Sequence, residues 1–445
     1  MKDYLVQTHD DTNQKTYSKF LRGSTVKVWE DYSEFPTLYL VNATLDQIEA
    51  IQNNKETKTV ESANRKAKKF ANTDEVGNEI ETGEAEPVAG TFAAGKQNLT
   101  AYDNWGLGRI DERDKAEPSV YRYERTGANV DVYIIDSGVT EHSDLTGRVV
   151  NLWTGFPIFE DEDGHGTHVA STVAGKRYGV AKNAIIYNVK VFDASVSAPI
   201  STIVSGCNAA LKHHKNKIAN GVNRPSVVNM SLGGDGSMLN IVVTEMQKAG
   251  MVIAVAAGNE SGDLDRNIDV YPAESPNVLT VNSLNDSERA SWFNNYGSPC
   301  DLFAPGEGII AAGYAGPTHW ARMSGTSMAS PHVAGVCALA LEGQPIYTNK
   351  SEVENLYNFI LSAATTDRVI FDGSWAGFAA RFNNKIAYSF LTDGIPAPDP
   401  SAPAPAPVPT PVVAPQPKKD GGSKTWIIVG VVAVVVIGII VAVAV

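Results

Sequence analysis

Two histidines three residues apart, His165 and His168 in DGHGTHVAST (163–172), open the chemical reading of this 445-residue chain. On a helix that spacing puts them on one face, where they could serve as a metal pair or as one catalytic base beside a structural neighbour. A zinc-protease helix carries its histidines four apart with a glutamate between them. Here Gly166 and Thr167 intervene and no third ligand accompanies the pair, so a zinc site is set aside. The base finds partners elsewhere. Asp136 ends the apolar run VDVYIID (130–136). Ser327 stands where the Gly-containing turn of SGTSMASPHVAG (324–335) becomes a helix. Asn259 ends MVIAVAAGN (251–259). A serine hydroxyl is a weak nucleophile at neutral pH unless a base lies beside it. His165 can take its proton, and Asp136 can fix the imidazole tautomer and support the imidazolium. The Asn259 amide and the Ser327 backbone N–H can receive an oxyanion. His168 has no such partner set and reads as a packed, hydrogen-bonded core histidine. His142, His319 and His332 read as packing, and the adjacent His213 and His214 as solvated surface.

These residues need a scaffold, and the sequence describes one. The runs 130–136, AIIYNVKVF (184–192), SVVNMSL (226–232) and MVIAVAAGN (251–259) read as strands buried on both faces. Helical patterns fall between them at 166–175, 201–216 and 237–250. Such alternation predicts an α/β fold with a mostly parallel central sheet between helical layers. In that fold, sites gather at the carboxyl ends of the strands, where Asp136 and Asn259 stand.

The blocks YIIDSGV, GHGTHVAST, VVNMSLGG, MVIAVAAGN and SGTSMASPHVAGV resemble, in order, those of the subtilisin-like serine proteases. NWGLGRID (104–111), YGVAKNA (178–184) and WFNNYGSPCDLFAPG (292–306) are similar to the proteinase K branch of that family. The resemblance covers roughly 100–391. It implies a subtilisin-like three-layer fold and a serine endopeptidase in which Asp136, His165 and Ser327 form the triad and Asn259 the oxyanion hole. It also implies that Ser231, Leu232, Gly233 and Gly234 pair with an extended polypeptide substrate, and that Ala256 and Gly258 help to line a wide apolar pocket. Cleavage is then expected after apolar or aromatic residues. No cofactor is required for catalysis. A structural calcium is implied at Pro276, Val278 and Asp301, with loop oxygens as ligands. Residues 1–70, with YLVQT and YLVNATLDQIEAIQNN (39–54), are similar to the family's inhibitory propeptides. They read as a small α+β domain with a helix over 44–54, and imply an autoprocessed zymogen cut between about Phe70 and Thr100. The alternative reading is a catalytically silent scaffold used as a membrane-anchored binding protein.

The remaining segments are compositional. Residues 71–98 form an acidic linker, with six carboxylates and no base between Thr73 and Glu86. Residues 392–425 hold a Pro/Ala-rich stalk, ten of the 22 residues in 396–417 being proline, followed by Lys418, Lys419 and Lys424. A polyproline II stalk of that length reaches nearly 70 Å at about 3.1 Å per residue. Trp426–Val445 carries no charge over 20 residues, which as a helix spans about 30 Å, one bilayer core. With basic residues before it and no apolar leader at MKDYLVQTHD, it reads as a single-pass C-terminal tail anchor with the catalytic domain facing the cytosol, on an organelle or viral membrane. The net charge of −13 argues against a nucleic-acid partner. Cys207, Cys300 and Cys337 read as buried thiols, with one disulfide left open.

Overall fold

The computed structural model describes residues 2–9, 17, 18, 20, 21, 26–31, 34, 35, 37–71, 81–84, 95–114, 120–266 and 268–389. Successive side chains on a strand point to opposite faces, and this splits the main core in two. Within Asp131–Asp136, Val132 and Ile134 enter one apolar cluster while Tyr133 and Ile135 enter the other. Val227 and Val228, and then Ala254 and Val255, divide in the same way. The first cluster is filled by the helix that begins at the catalytic histidine candidate, His165–Ala174, and by the helix of the serine, Thr326–Leu341. The second is filled by Ile200–Ala219 and Met238–Lys248. These four helices and the strands match the alternation legible in the sequence.

Among the described residues the central sheet has nine strands. Their order is Val149–Thr154, Ile185–Lys190, Asp131–Asp136, Ser226–Met230, Val252–Ala256, Leu279–Leu284, Leu302–Pro305, Lys385–Ile386 and Thr365–Thr366. Every neighbouring pair is parallel except the last. After Asp131–Asp136 the chain first adds strands on one side and then crosses to Ser226–Met230 on the other. The crevice outside this switch point is where an open α/β sheet binds ligands, and Asp136 and Ser231 sit at its rim.

The serine helix is buried along its whole length. Pro331 lies inside it and lacks the N–H that would bond the carbonyl four residues back. That carbonyl belongs to Ser327, and it accepts the Ser231 hydroxyl at 2.8 Å instead. The helix is therefore pinned, at the serine itself, to the strand end beside it.

The N-terminal segment forms a four-stranded antiparallel sheet in the order Lys27–Asp31, Leu38–Ala43, Lys2–Thr8, Thr57–Ser62. Its helix, Leu45–Gln52, opens with a capping box between Thr44 and Gln47. Val6, Tyr39, Val41, Ile48 and Ile51 close its core. Two stretches expected within the acidic linker are strands: Glu81–Glu84 pairs with His319–Met323, and Gly95–Asn98 with Val120–Tyr123. Neither has the apolar alternation of a core strand. Each is held by backbone bonds to an available edge, which hydropathy does not register. All three cysteines are buried and free. Among the described residues no helix is long and apolar enough to cross a membrane; the expected stalk and anchor, from 392 onward, lie outside the described residues.

Candidate active site

The histidine helix starts on a Gly164 at φ +97°, with its orphan amides satisfied from two neighbouring loops. Asp161 Oδ2 accepts the Thr167 N–H and hydroxyl, both at 2.8 Å, and Oδ1 accepts the Gly164 N–H at 2.9 Å. The Gly166 N–H donates to Ser137 Oγ at 2.9 Å. Gly166 has no alternative at its position, because a Cβ there would lie 2.2 Å from the Gly138 carbonyl. This first turn aims His165 Nδ1 at Asp136 Oδ1, 2.7 Å away, which also accepts the Ser137 N–H at 2.7 Å. A carboxylate acceptor assigns the proton to Nδ1 and leaves Nε2 as the basic nitrogen. His165 Nε2 is buried and has no hydrogen-bond partner among the described residues.

Across the crevice, Asn259 Nδ2 donates to the Phe70 carbonyl at 2.7 Å and the Ser327 N–H donates to the same oxygen at 3.2 Å. The Asn259 amide is itself oriented. Its Oδ1 accepts the Thr326 N–H at 3.0 Å and the Thr326 hydroxyl at 2.8 Å. Gly325 completes the hole by having no side chain, since a Cβ there would lie 2.2 Å from the Phe70 oxygen. The Ser327 hydroxyl accepts the Phe70 N–H at 2.9 Å and donates to the Ser231 carbonyl at 3.0 Å. The sequence leads one to expect that hydroxyl on His165. With Phe70 in place it bonds Ser231.

Phe70 ends an extended segment that lies in the cleft as a middle strand. Lys66–Lys69 pairs antiparallel with Ser197–Pro199 on one side and with Leu232–Gly234 on the other. This is strand addition, with main-chain bonds on both edges. The Phe70 ring is buried against Gly233, where a Cβ would come within 2.6 Å of the ring. It joins the apolar cluster that contains Leu232, Ala256 and Val270. Of the expected substrate-binding residues, Ser231 through Gly234 thus meet the segment directly. Ala256 lines the shared cluster. Gly258, at φ +100°, turns the chain into Asn259 and packs on Asn295.

His168 is fully buried and donates Nε2–H to the Ile309 carbonyl at 2.9 Å; desolvation lowers its pKa to about 3. His332 is likewise buried and pushed down to about 4 by desolvation, bonding Asn104 and the Met328 carbonyl. His214 corrects its expected surface position. It is buried between Ser226 Oγ at 2.8 Å and the Ala249 carbonyl at 2.8 Å, while its neighbour His213 packs half-buried on Tyr133 and Tyr187. The two point in different directions, as adjacent helical residues must, but one direction is inward.

At the expected calcium site, Asp301 and Thr280 bond in both directions, the Asp301 N–H to the Thr280 carbonyl at 2.9 Å and the Thr280 N–H to Asp301 Oδ2 at 2.8 Å. This ties the carboxylate to Thr280, two residues beyond Val278 in the chain. Desolvation raises the Asp301 carboxyl to about 7. A carboxylate that is costly to ionise alone is the kind of oxygen ligand that suits a hard cation. Among the described residues there is no cluster of three or more His, Cys, Asp or Glu side chains that could hold a metal, so backbone oxygens would have to supply most of the ligands.

The sequence pattern of the Subtilase family matches residues 127–381. This chain belongs to the subtilase family. It is 38% identical over 249 residues to the extracellular serine proteinase of Thermus sp. (strain Rt41A), covering 55% of this chain and 58% of that one. It is 40% identical over 257 residues to subtilisin-like protease 1 of Trichophyton equinum, covering 56% and 49% respectively. This subtilase thus spans about half to three fifths of the length of those curated relatives. The crystal structure of a cold adapted subtilisin-like serine proteinase superposes with a TM-score of 0.57 at 36% identity, covering 65% of this chain and 100% of that one. In the subtilase described here, three contributors to the site escaped the reading of the sequence: Asp161, Asp163 and Thr326. The acids precede a helix and carry the ordinary signal of a cap. Thr326 had no signal beyond standing next to Ser327.

Proposed function

We propose that this subtilase is a serine endopeptidase made as a zymogen, with Phe70–Ala71 as the bond it cuts in itself. The observation that carries the reading is the Phe70 carbonyl oxygen, held by Asn259 Nδ2 and the Ser327 N–H while the Ser327 hydroxyl accepts the N–H of the same Phe70. For attack, the hydroxyl exchanges its bond to the Ser231 carbonyl for the partner-free Nε2 of His165. Its proton passes to that nitrogen as Oγ bonds the Phe70 carbonyl carbon. The carbonyl electrons move onto the oxygen, where the two donors are already placed and need no reorganisation. Asp136 stabilises the imidazolium. The C–N bond to Ala71 then breaks, His165 gives its proton to the Ala71 nitrogen, and a water activated by the same histidine releases the acyl group. Residues 1–70 act as the intramolecular inhibitor, and polypeptides with an apolar or aromatic residue at the Phe70 position are the substrates. No cofactor enters this scheme. A calcium ion at Pro276, Val278 and Asp301 would hold the loops together, and removing it by chelation should lower the melting temperature.

The decisive experiment is labelling with a fluorophosphonate probe after removal of residues 1–70, with the adduct mapped to Ser327. Failure of the intact, folded domain to label at Ser327 returns the chain to the silent-scaffold alternative. The proline-rich stalk and Trp426–Val445 support a membrane-anchored enzyme facing the cytosol. Digestion of intact and opened vesicles tests the topology: a catalytic domain protected in sealed, cytosol-side-out vesicles would overturn it.

A further inference from the structure

The cleft holds a lysine where an apolar residue would be cheaper. Along Lys66–Lys69 the side chains alternate outward and inward, so Ala67 and Lys69 face the protein. The Lys69 side chain is only 5% exposed, and its Nζ lies 2.6 Å from Asp163 Oδ2 and 5.6 Å from the centre of the Phe192 ring. A buried ammonium is expensive unless paired, and here a carboxylate and an aromatic face provide for it. Asp163 is held by the catalytic domain itself. Its N–H donates to Asp161 Oδ1 at 3.0 Å, and its Oδ2 accepts the His165 N–H at 3.3 Å. The carboxylate is therefore built into the loop that carries the base. Lys68, facing outward, pairs with Glu260 Oε1 at 2.8 Å, but that lysine is half exposed, and such a pair is screened and weak.

We propose that Asp163 determines specificity: it selects polypeptides that carry a lysine or arginine immediately before the aromatic or apolar residue whose carbonyl is attacked. The inference rests on the protease reading with Phe70 as the acyl residue. The pairing with Lys69 then displays the general preference of the cleft as well as the fit of its own tail.

The test uses the mature wild-type enzyme and three anilides, Ala-Ala-Lys-Phe, Ala-Ala-norleucine-Phe and Ala-Ala-Glu-Phe. Norleucine keeps the length of lysine without its charge. We expect kcat/KM for the lysine peptide to exceed that for norleucine by about tenfold or more, and that for glutamate by a larger factor, as for a desolvated charge pair. Asp163→Asn should bring the lysine-to-norleucine ratio toward one, and Asp163→Lys should favour the glutamate peptide. Each ratio is taken within one variant, so any disturbance of the neighbouring His165 cancels. Should the variants not fold, the wild-type ratios decide. Wild-type enzyme that cleaves lysine and norleucine peptides within twofold of each other overturns the proposal and leaves the protease reading standing. Cleavage of none of the three, with Ser327 unlabelled by fluorophosphonate, overturns both.

Discussion

Thr326 should matter to kcat through its aim on the Asn259 amide, while its second contact, the Gly258 N–H it accepts at 3.1 Å, bears on stability; the first effect can be worked out in numbers. Asn259→Leu removes the donor 2.7 Å from the oxyanion position and leaves the Ser327 N–H as the remaining contact. In subtilisin, a member of the same family, loss of the asparagine donor costs about 100- to 1000-fold in kcat, or about 2.7–4 kcal/mol; we carry that range over. Thr326→Val keeps the side-chain shape and the N–H bond to Asn259 Oδ1, but removes the hydroxyl bond to that oxygen at 2.8 Å and the acceptor of the Gly258 N–H at 3.1 Å. One buried neutral hydrogen bond is worth about 1 kcal/mol, so kcat should fall about fivefold through a less well aimed amide. In the double variant the threonine has no amide left to aim, and the lost Gly258 contact shows in the melting temperature. Its kcat should match Asn259→Leu alone, a coupling of about 1 kcal/mol in the mutant cycle. The assay is release of nitroaniline by mature enzyme, with concentrations fixed by fluorophosphonate titration and KM measured alongside. Additive losses would refute the aiming role and make Thr326 a merely structural neighbour of the serine.

Gly325→Ala places a Cβ 2.2 Å from where the Phe70 oxygen sits; the variant should retain its circular dichroism yet fail to process itself, and normal processing would contradict the close approach. Acid should destabilise the Ser327→Ala zymogen between pH 7 and 5. His168, His214 and His332 titrate at about 3, 4 and 4 when folded, against 6.5 unfolded. The unfolded chain therefore takes up their protons first, and each histidine costs stability as the pH falls below 6.5 until its folded pKa is reached. At pH 5 the loss is about 2 kcal/mol for each. Asp111 and Asp301, raised to about 6 and about 7 by desolvation, are protonated in the fold before they are in the unfolded chain, and return about 1–2 kcal/mol each over the same range. The three histidines outweigh the two aspartates and leave a net loss. Half-buried His213, also lowered by desolvation, adds to it, and Glu274 and Glu307, also raised, offset part of it. A urea midpoint that rises from pH 7 to 5 would show that the raised carboxyls outweigh the buried histidines and would refute the predicted net loss.

What the sequence made legible, and what it withheld, follows from physical range. The strands around Asp136 and Asn259 are runs of four and seven consecutive apolar residues, and the helix after Thr44 announces itself with a capping pair three residues apart. Such local patterns survive in any context. The order of Asp136, His165, Asn259 and Ser327 was equally plain. Glu81–Glu84 and Gly95–Asn98 are strands only because distant edges at His319–Met323 and Val120–Tyr123 accept them. The burial of His214 depends on Ser226 and Ala249 arriving from elsewhere. The position of Phe70 was the least accessible. Nothing near Lys66–Ala71 distinguishes one bond from the next. Only the cleft, contributed by residues from Asp163 to Ser327, roughly 90 to 260 positions further along, singles out Phe70.

The central claim is that Ser327 cuts the chain after Phe70, and mass spectrometry of the intact protein tests it directly. Freshly purified wild type should yield a fragment ending at Phe70 and a new N-terminus at Ala71, while Ser327→Ala, prepared identically, should remain joined across that bond. Active wild type with Phe70–Ala71 intact, or Ser327→Ala cut at the same place, would contradict the account.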